Sequence, residues 1–143
     1  MGNVGIVNTT IAGNRGGVVG DELARSVFLE RSVLWGNCLF DISASDLAGA
    51  DAYLTCCVID PDGVFGPVHY VADNVFVNPI FCDPVSCDEA PTTAGDYHVD
   101  AASLCLPSVS PCGQLIGALG QGCSGTVPAQ ERSWGGIKAL YRR

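Results

Sequence analysis

The sequence predicts an all-β chain wound as a parallel β-helix of about three coils, with an irregular cysteine-rich cap and a short tail. Three observations predict it. First, the 143 residues include 18 glycines and one methionine, and only 15% are charged against 48% hydrophobic. An average chain is roughly 25% charged and roughly 7% glycine, so this balance favours strands and tight turns over a helical bundle or disorder. Second, a pattern recurs at an offset of 23 residues: Val4 falls on Val27, Ile6 on Leu29, Ile11 on Leu34, Gly13 on Gly36 and Asn14 on Asn37. Third, the alternation changes parity within each copy. Val4 and Ile6 share a face, yet Ile11 lies an odd number of residues further on, so strict alternation would turn it outward. A bend between two short strands returns it to the interior. Two strands, a corner and a Gly-Asn turn repeated at this period describe one coil of a solenoid.

The elements follow in order. Residues 3–14 form coil one and residues 26–37 coil two. A weaker third copy spans 52–60, where Cys57, Val58 and Ile59 take the places of Val33, Leu34 and Trp35. No Asn-Gly or Asp-Gly pair separates the strands of the first two coils, as hairpins of an antiparallel sandwich would require. Asn14 and Asn37 stack at one corner as a structural ladder, because asparagine tolerates left-handed angles and its amide serves turn groups outside the strands. Residues 1–70 are therefore assigned to coils. Asp60-Pro61-Asp62-Gly63 and Gly66-Pro67 are turns. Residues 71–123 make a cysteine-rich cap, with short strands around Val75–Val77 and Tyr97–Val99, that closes the open end of the core. Residues 124–143 are a linker and tail, in which Trp134, Ile137 and Tyr141 would form one stripe of a helix beside Lys138. That stripe is either a docking, export or membrane-surface element or an end folded back on its own acidic body.

The formal charge is −8, and four of the seven cations lie in the last twelve residues. The first 130 residues carry net −11, which disfavours a nucleic-acid partner. No run of about 18 apolar residues marks a transmembrane helix. Eight cysteines without a C-x-x-C pair, with His69 and His98 away from zinc-site spacing, indicate disulfides formed in an oxidising compartment. A Cys105–Cys112 bridge is expected because two prolines turn the loop between them, and Cys82 and Cys123 join the ends of the cap. The N-terminus lacks a signal-like basic and apolar region, so either a signal has been removed or further coils lie upstream, where an uncapped first coil would otherwise self-associate.

Chemistry is thinly supported. Asp41, Asp46, Asp51, Asp60 and Asp62 are the acids available to a two-carboxylate glycosidase, but their spacing places no pair on one strand face, and all are expected as solvated loop acids. Arg15, Arg25 and Arg31 are the only cations of the body; Arg31 is placed on a strand, pointing away from the core. Asp60 and Asp62 offer the one calcium-like grouping, without the alternating ligands or distal Glu of a calcium loop, so no cofactor is expected. No G-x-S-x-G supports a serine triad, and Asn8-Thr9-Thr10 reads as a threonine-rich β edge.

The phrases N-T-T-I-A-G-N (8–14) and S-V-L-W-G-N (32–37) resemble the coil corners of right-handed parallel β-helix proteins that bacteria secrete. N-P-I-F-C-D-P (78–84), G-D-Y-H-V (95–99) and S-P-C (110–112) resemble the segment that closes such helices. S-W-G-G-I-K-A-L-Y-R (133–142) is similar to C-terminal tails of large secreted repeat proteins. The resemblance implies a right-handed fold and a secreted or cell-surface location. It implies no single activity, since that fold carries lyases, hydrolases, adhesins and stalks. The expected function is a non-catalytic, structural, adhesive or glycan-contacting C-terminal piece of such a protein, with upstream coils and polysaccharide or cell surface as partners. The alternatives are a fragment of a polysaccharide lyase or glycoside hydrolase whose active coils lie upstream, and a free-standing disulfide-rich module.

Overall fold

Strands of two to seven residues, many of them rich in valine, isoleucine and leucine, are separated by turns that carry glycine and small polar residues. The computed structural model describes residues 2–20, 24–44 and 50–124. They form an all-β parallel solenoid of about five turns, against the three expected. Each full coil has three sides, one more than the repeat suggested. β1 (Gly2–Val7), β2 (Thr10–Ala12) and β3 (Val18–Gly20) make the first coil. β4 (Ala24–Glu30), β5 (Val33–Trp35) and β6 (Ile42–Ala44) make the second. β7 (Asp51–Thr55), β8 (Val58–Ile59) and β9 (Val64–Phe65) make the third. β10 (Val68–Ala72) and a bridge from Val75 to Val58 begin the next. They stack into parallel sheets of order β1-β4-β7-β10, β2-β5-β8 and β3-β6-β9.

The 23-residue offset holds between coils one and two, with Val4 against Val27, Ile6 against Leu29 and Ile11 against Leu34. The third copy is displaced by one from the expected alignment: Val58 faces Val33 and Ile59 faces Leu34. All four of these side chains are buried, so both faces of the sheet are apolar and alternation cannot select the register.

The parity change occurs at single residues in the left-handed region, Asn8, Arg31, Cys56 and Asp73, with φ between +47° and +56°. Arg31 therefore sits in a corner after β4 rather than on a strand. The next positions in these corners close backbone gaps. Thr9 N–H donates to Ser32 Oγ at 3.2 Å, and Cys57 N–H donates to Asn74 Oδ1 at 3.0 Å.

One core fills the solenoid, built on Val27, Leu29, Leu34, Ile42, Leu54 and Ile59, with Ile6, Ile11, Val18 and Val64 against it. A second lies on the opposite face of β2-β5-β8, where Val33, Val58, Val75, Val99, Cys105 and Ile116 pack with Trp35 and Phe81. The cysteine-rich segment thus runs along the solenoid's flank, where it was expected to close its end. It contains β11 (Phe81–Asp83), β12 (Asp96–Asp100) and β13 (Gln121–Cys123), with β11 antiparallel and β13 parallel to β12. Gly117 N–H donates to Arg31 C=O at 2.7 Å and Ala118 N–H to Thr10 Oγ1 at 3.0 Å, tying the segment to the Arg31 corner and to the start of β2.

Three disulfides join Cys38 to Cys87, Cys56 to Cys112, and Cys82 to Cys123. The expected Cys105–Cys112 bridge is not formed. The turn that follows Cys105, closed by Ser110 N–H donating to Leu106 C=O, leaves Cys105 buried in the second core as a free thiol and carries Cys112 to Cys56. Cys57 is also free and buried, because it belongs to the inward corner position. Among the described residues no helix is long and apolar enough to cross a membrane. Trp134, Ile137, Lys138, Tyr141 and Asp46 lie outside the described residues.

Candidate functional site

The Gly-Asn corners are built around Asn37, which is buried while Asn14 is exposed. Asn37 Oδ1 accepts from Asn14 N–H at 2.9 Å and Asn37 Nδ2 donates to Ile11 C=O at 3.0 Å, linking the two coils. Asn37 Nδ2 and N–H also donate to Asp41 Oδ1. Asp41 is 1% exposed and so is no solvated loop acid. Burial pushes its carboxyl above the usual 3.8, the bonds from Asn37 pull it back in part, and nearby Asp60 adds to the rise.

The other acids are dispersed. Asp60 accepts from Asp62 N–H to start the Pro61–Gly63 turn. Asp51 lies on another sheet, with Oδ2 accepting from Tyr53 Oη at 3.3 Å and Oδ1 3.6 Å from His69 Nε2. Of the body's cations, Arg31 is held in its corner by Glu30 and by Asn8 Oδ1, to which its Nε donates at 2.8 Å. The one metal-like grouping among the described residues is Cys38, Cys87 and Asp88, and its two sulfurs are bonded to each other.

Two aromatic features, neither anticipated from the sequence, stand out instead. The first is a column on the outer face of β4, β7 and β10. Phe28, Tyr53 and His69 are register partners, and their rings stack at 5.1 and 4.7 Å with planes within 15°. Tyr53 is covered by a ring on each side, whereas Phe28, whose partner in β1 is Gly5, stays exposed at one end of the column.

The second is a cleft of about 170 Å³ between the Gly13 and Gly36 corners and the β11–β12 hairpin. Trp35, Phe81 and Tyr97 line it with Asn78 and Val85, and Phe81 meets Tyr97 edge to face at 5.2 Å. All three rings are half-buried. Gly13 has φ +65°, and a Cβ there would overlap Tyr97 Oη and lie 3.1 Å from Val85 C=O, so the missing side chain admits the tyrosine. A concave, mostly apolar site with a few polar heads is the usual form of a small-ligand site. Tertiary packing alone assembles it, since Trp35 and Phe81 are far apart in sequence and the hairpin is docked by the second core. The period-two pattern of Tyr97 and Val99 was the only signal pointing toward it. Comparison with protein-family models, with curated proteins and with solved structures returns no match.

Proposed function

We propose that this chain is a non-catalytic module of a secreted or cell-surface right-handed β-helix protein, serving structure or adhesion by contacting glycans. The observation that carries the reading is the cleft of Trp35, Phe81 and Tyr97, which offers aromatic faces together with unoccupied polar heads on a rigid scaffold. Aromatic faces suit the C–H faces of sugars, and indole and phenol heads suit hydroxyls. Three disulfides support an oxidising location. Right-handed winding is supported by the near-universal hand of parallel crossovers. Asp41 is consumed by a corner and Asp51 by an aromatic column, which supports a binding role over acid–base cleavage.

The test is a glycan-binding screen of the oxidised protein beside a depolymerisation assay on neutral and uronic-acid polymers, with and without calcium. Saturable binding without turnover is expected. Turnover abolished by Asp51→Ala would overturn this reading in favour of a lyase or hydrolase fragment.

A further inference from the structure

The cleft has features that narrow its ligand further. Its volume of about 170 Å³ is small beside the roughly 300–1,000 Å³ of drug-sized pockets. At about 30 Å³ per water it holds the equivalent of five or six waters, the bulk of one hexose ring. The walls supply hydrophobic faces from two directions, Trp35 from the solenoid and Phe81 with Tyr97 from the hairpin. Among the described residues, Trp35 Nε1–H and Tyr97 Oη have no hydrogen-bond partner. Asn78 uses its Oδ1 for Ile80 N–H, at 2.8 Å, and leaves its Nδ2 donors free. These groups reach solvent, because among the described residues no buried side-chain polar atom lacks a partner. Three polar heads around an apolar slot match a ring with hydroxyls on its rim and C–H bonds on its face.

Charge decides between neutral and acidic sugars. Among the described residues no Lys or Arg lines the cleft, and the first 130 residues carry net −11. A carboxylate or sulfate would enter a mostly apolar site without a cation against a repulsive field. Proline-rich peptides also favour aromatic grooves, but they need an elongated channel for an extended helix. At about 170 Å³ this cleft has room for one ring and not for such a channel.

We infer that the cleft of Trp35, Asn78, Phe81 and Tyr97 is a subsite for one neutral pyranose ring at the end of a glycan. The inference rests on the glycan-contacting reading above and adds the size and charge class of the ligand. Trp134→Phe leaves Trp35 as the only tryptophan of the chain. The fluorescence of that oxidised variant is titrated with methyl gluco-, galacto- and mannopyranosides and with the matching methyl uronides, and Tyr97→Phe is tested in the same background. At least one neutral pyranoside should shift Trp35 emission saturably, with the matching uronide at least tenfold weaker. Tyr97→Phe, which removes only the hydroxyl, should weaken the neutral sugar about tenfold while leaving the denaturation midpoint nearly unchanged, in keeping with the loss of one hydrogen bond. Uronides binding as tightly as neutral sugars would overturn the inference. So would a proline-rich peptide, but no sugar, shifting Trp35 emission. Glycan binding that leaves Trp35 silent and ignores Tyr97→Phe would overturn it while the glycan-contacting reading stands. Absence of binding to any sugar or glycan would overturn both.

Discussion

Gly13 and Gly36 occupy equivalent corners, one coil apart, with φ of +65° and +68°. Only their surroundings differ, and an alanine at each position separates two costs. At Gly36 a Cβ would have open space to 4 Å, so Gly36→Ala meets only backbone strain. A left-handed L-residue costs about 1–2 kcal/mol, and the lower unfolded-state entropy of alanine returns about 0.4–1 kcal/mol. The net loss should be about 1 kcal/mol. At Gly13 the same Cβ meets Tyr97 Oη and Val85 C=O. Forced displacement in a packed site adds about 1–3 kcal/mol, so Gly13→Ala should cost about 2–4 kcal/mol. In urea, with m of about 1–3 kcal/mol/M, the two midpoints should differ by about 1 M. Tyr97→Phe removes the main clashing atom and should recover a good part of the extra loss, visible as coupling in a double-mutant cycle. Equal destabilisation by the two alanines, or additivity of Gly13→Ala with Tyr97→Phe, would refute the placement of the hairpin against the corner and with it the cleft.

Cysteine chemistry and acid titration give further predictions. Denatured without reductant, the protein should take up two equivalents of maleimide, at Cys57 and Cys105, and both thiols should resist labelling when native because they are buried; a Cys105–Cys112 peptide in a non-reducing digest would contradict the fold. Cys38→Ser opens a bridge of sequence separation 49 and should cost about 4 kcal/mol on the chain-entropy account, read as a lowered denaturation midpoint. Because burial raises the Asp41 pKa in the folded state above its usual 3.8, the native protein holds that proton more tightly than the unfolded chain. Stability from this group is therefore fully present below the usual value and is lost as pH rises through the raised one. Asp41→Asn keeps an acceptor for Asn37 and should flatten that part of the stability–pH curve, so identical slopes for both proteins would count against a buried, ionisable Asp41.

Much of the solenoid was legible in the sequence because a solenoid repeats locally. The 23-residue offset that set Ile6 against Leu29 and Ile11 against Leu34 follows from apolar spacing, and the parity change located the corner that Asn8 and Arg31 make. The third side of each coil was not legible. Val18–Gly20 and Val64–Phe65 are too short to show a period, and they become strands only by pairing with β6. The slip at Val58 has a related cause, since a sheet buried on both faces carries no polar alternation to fix its register. The aromatic column was partly readable: Phe28 falls between inward Val27 and Leu29 and must point outward, but its stacking on Tyr53 depends on a register that the third copy misaligned.

Composition and periodicity by themselves determined that this chain is an acidic, all-β, coil-forming protein rich in cysteine. Tertiary structure alone decided which cysteines meet, that the irregular segment packs along the flank, and that Trp35, Phe81 and Tyr97 surround one cleft. The physical reason is range. Strand pairing between successive coils repeats a local pattern that a sequence displays directly, whereas the flank docks through buried apolar contacts. Those contacts are non-directional, so they leave no spacing in the chain from which their partners could be read.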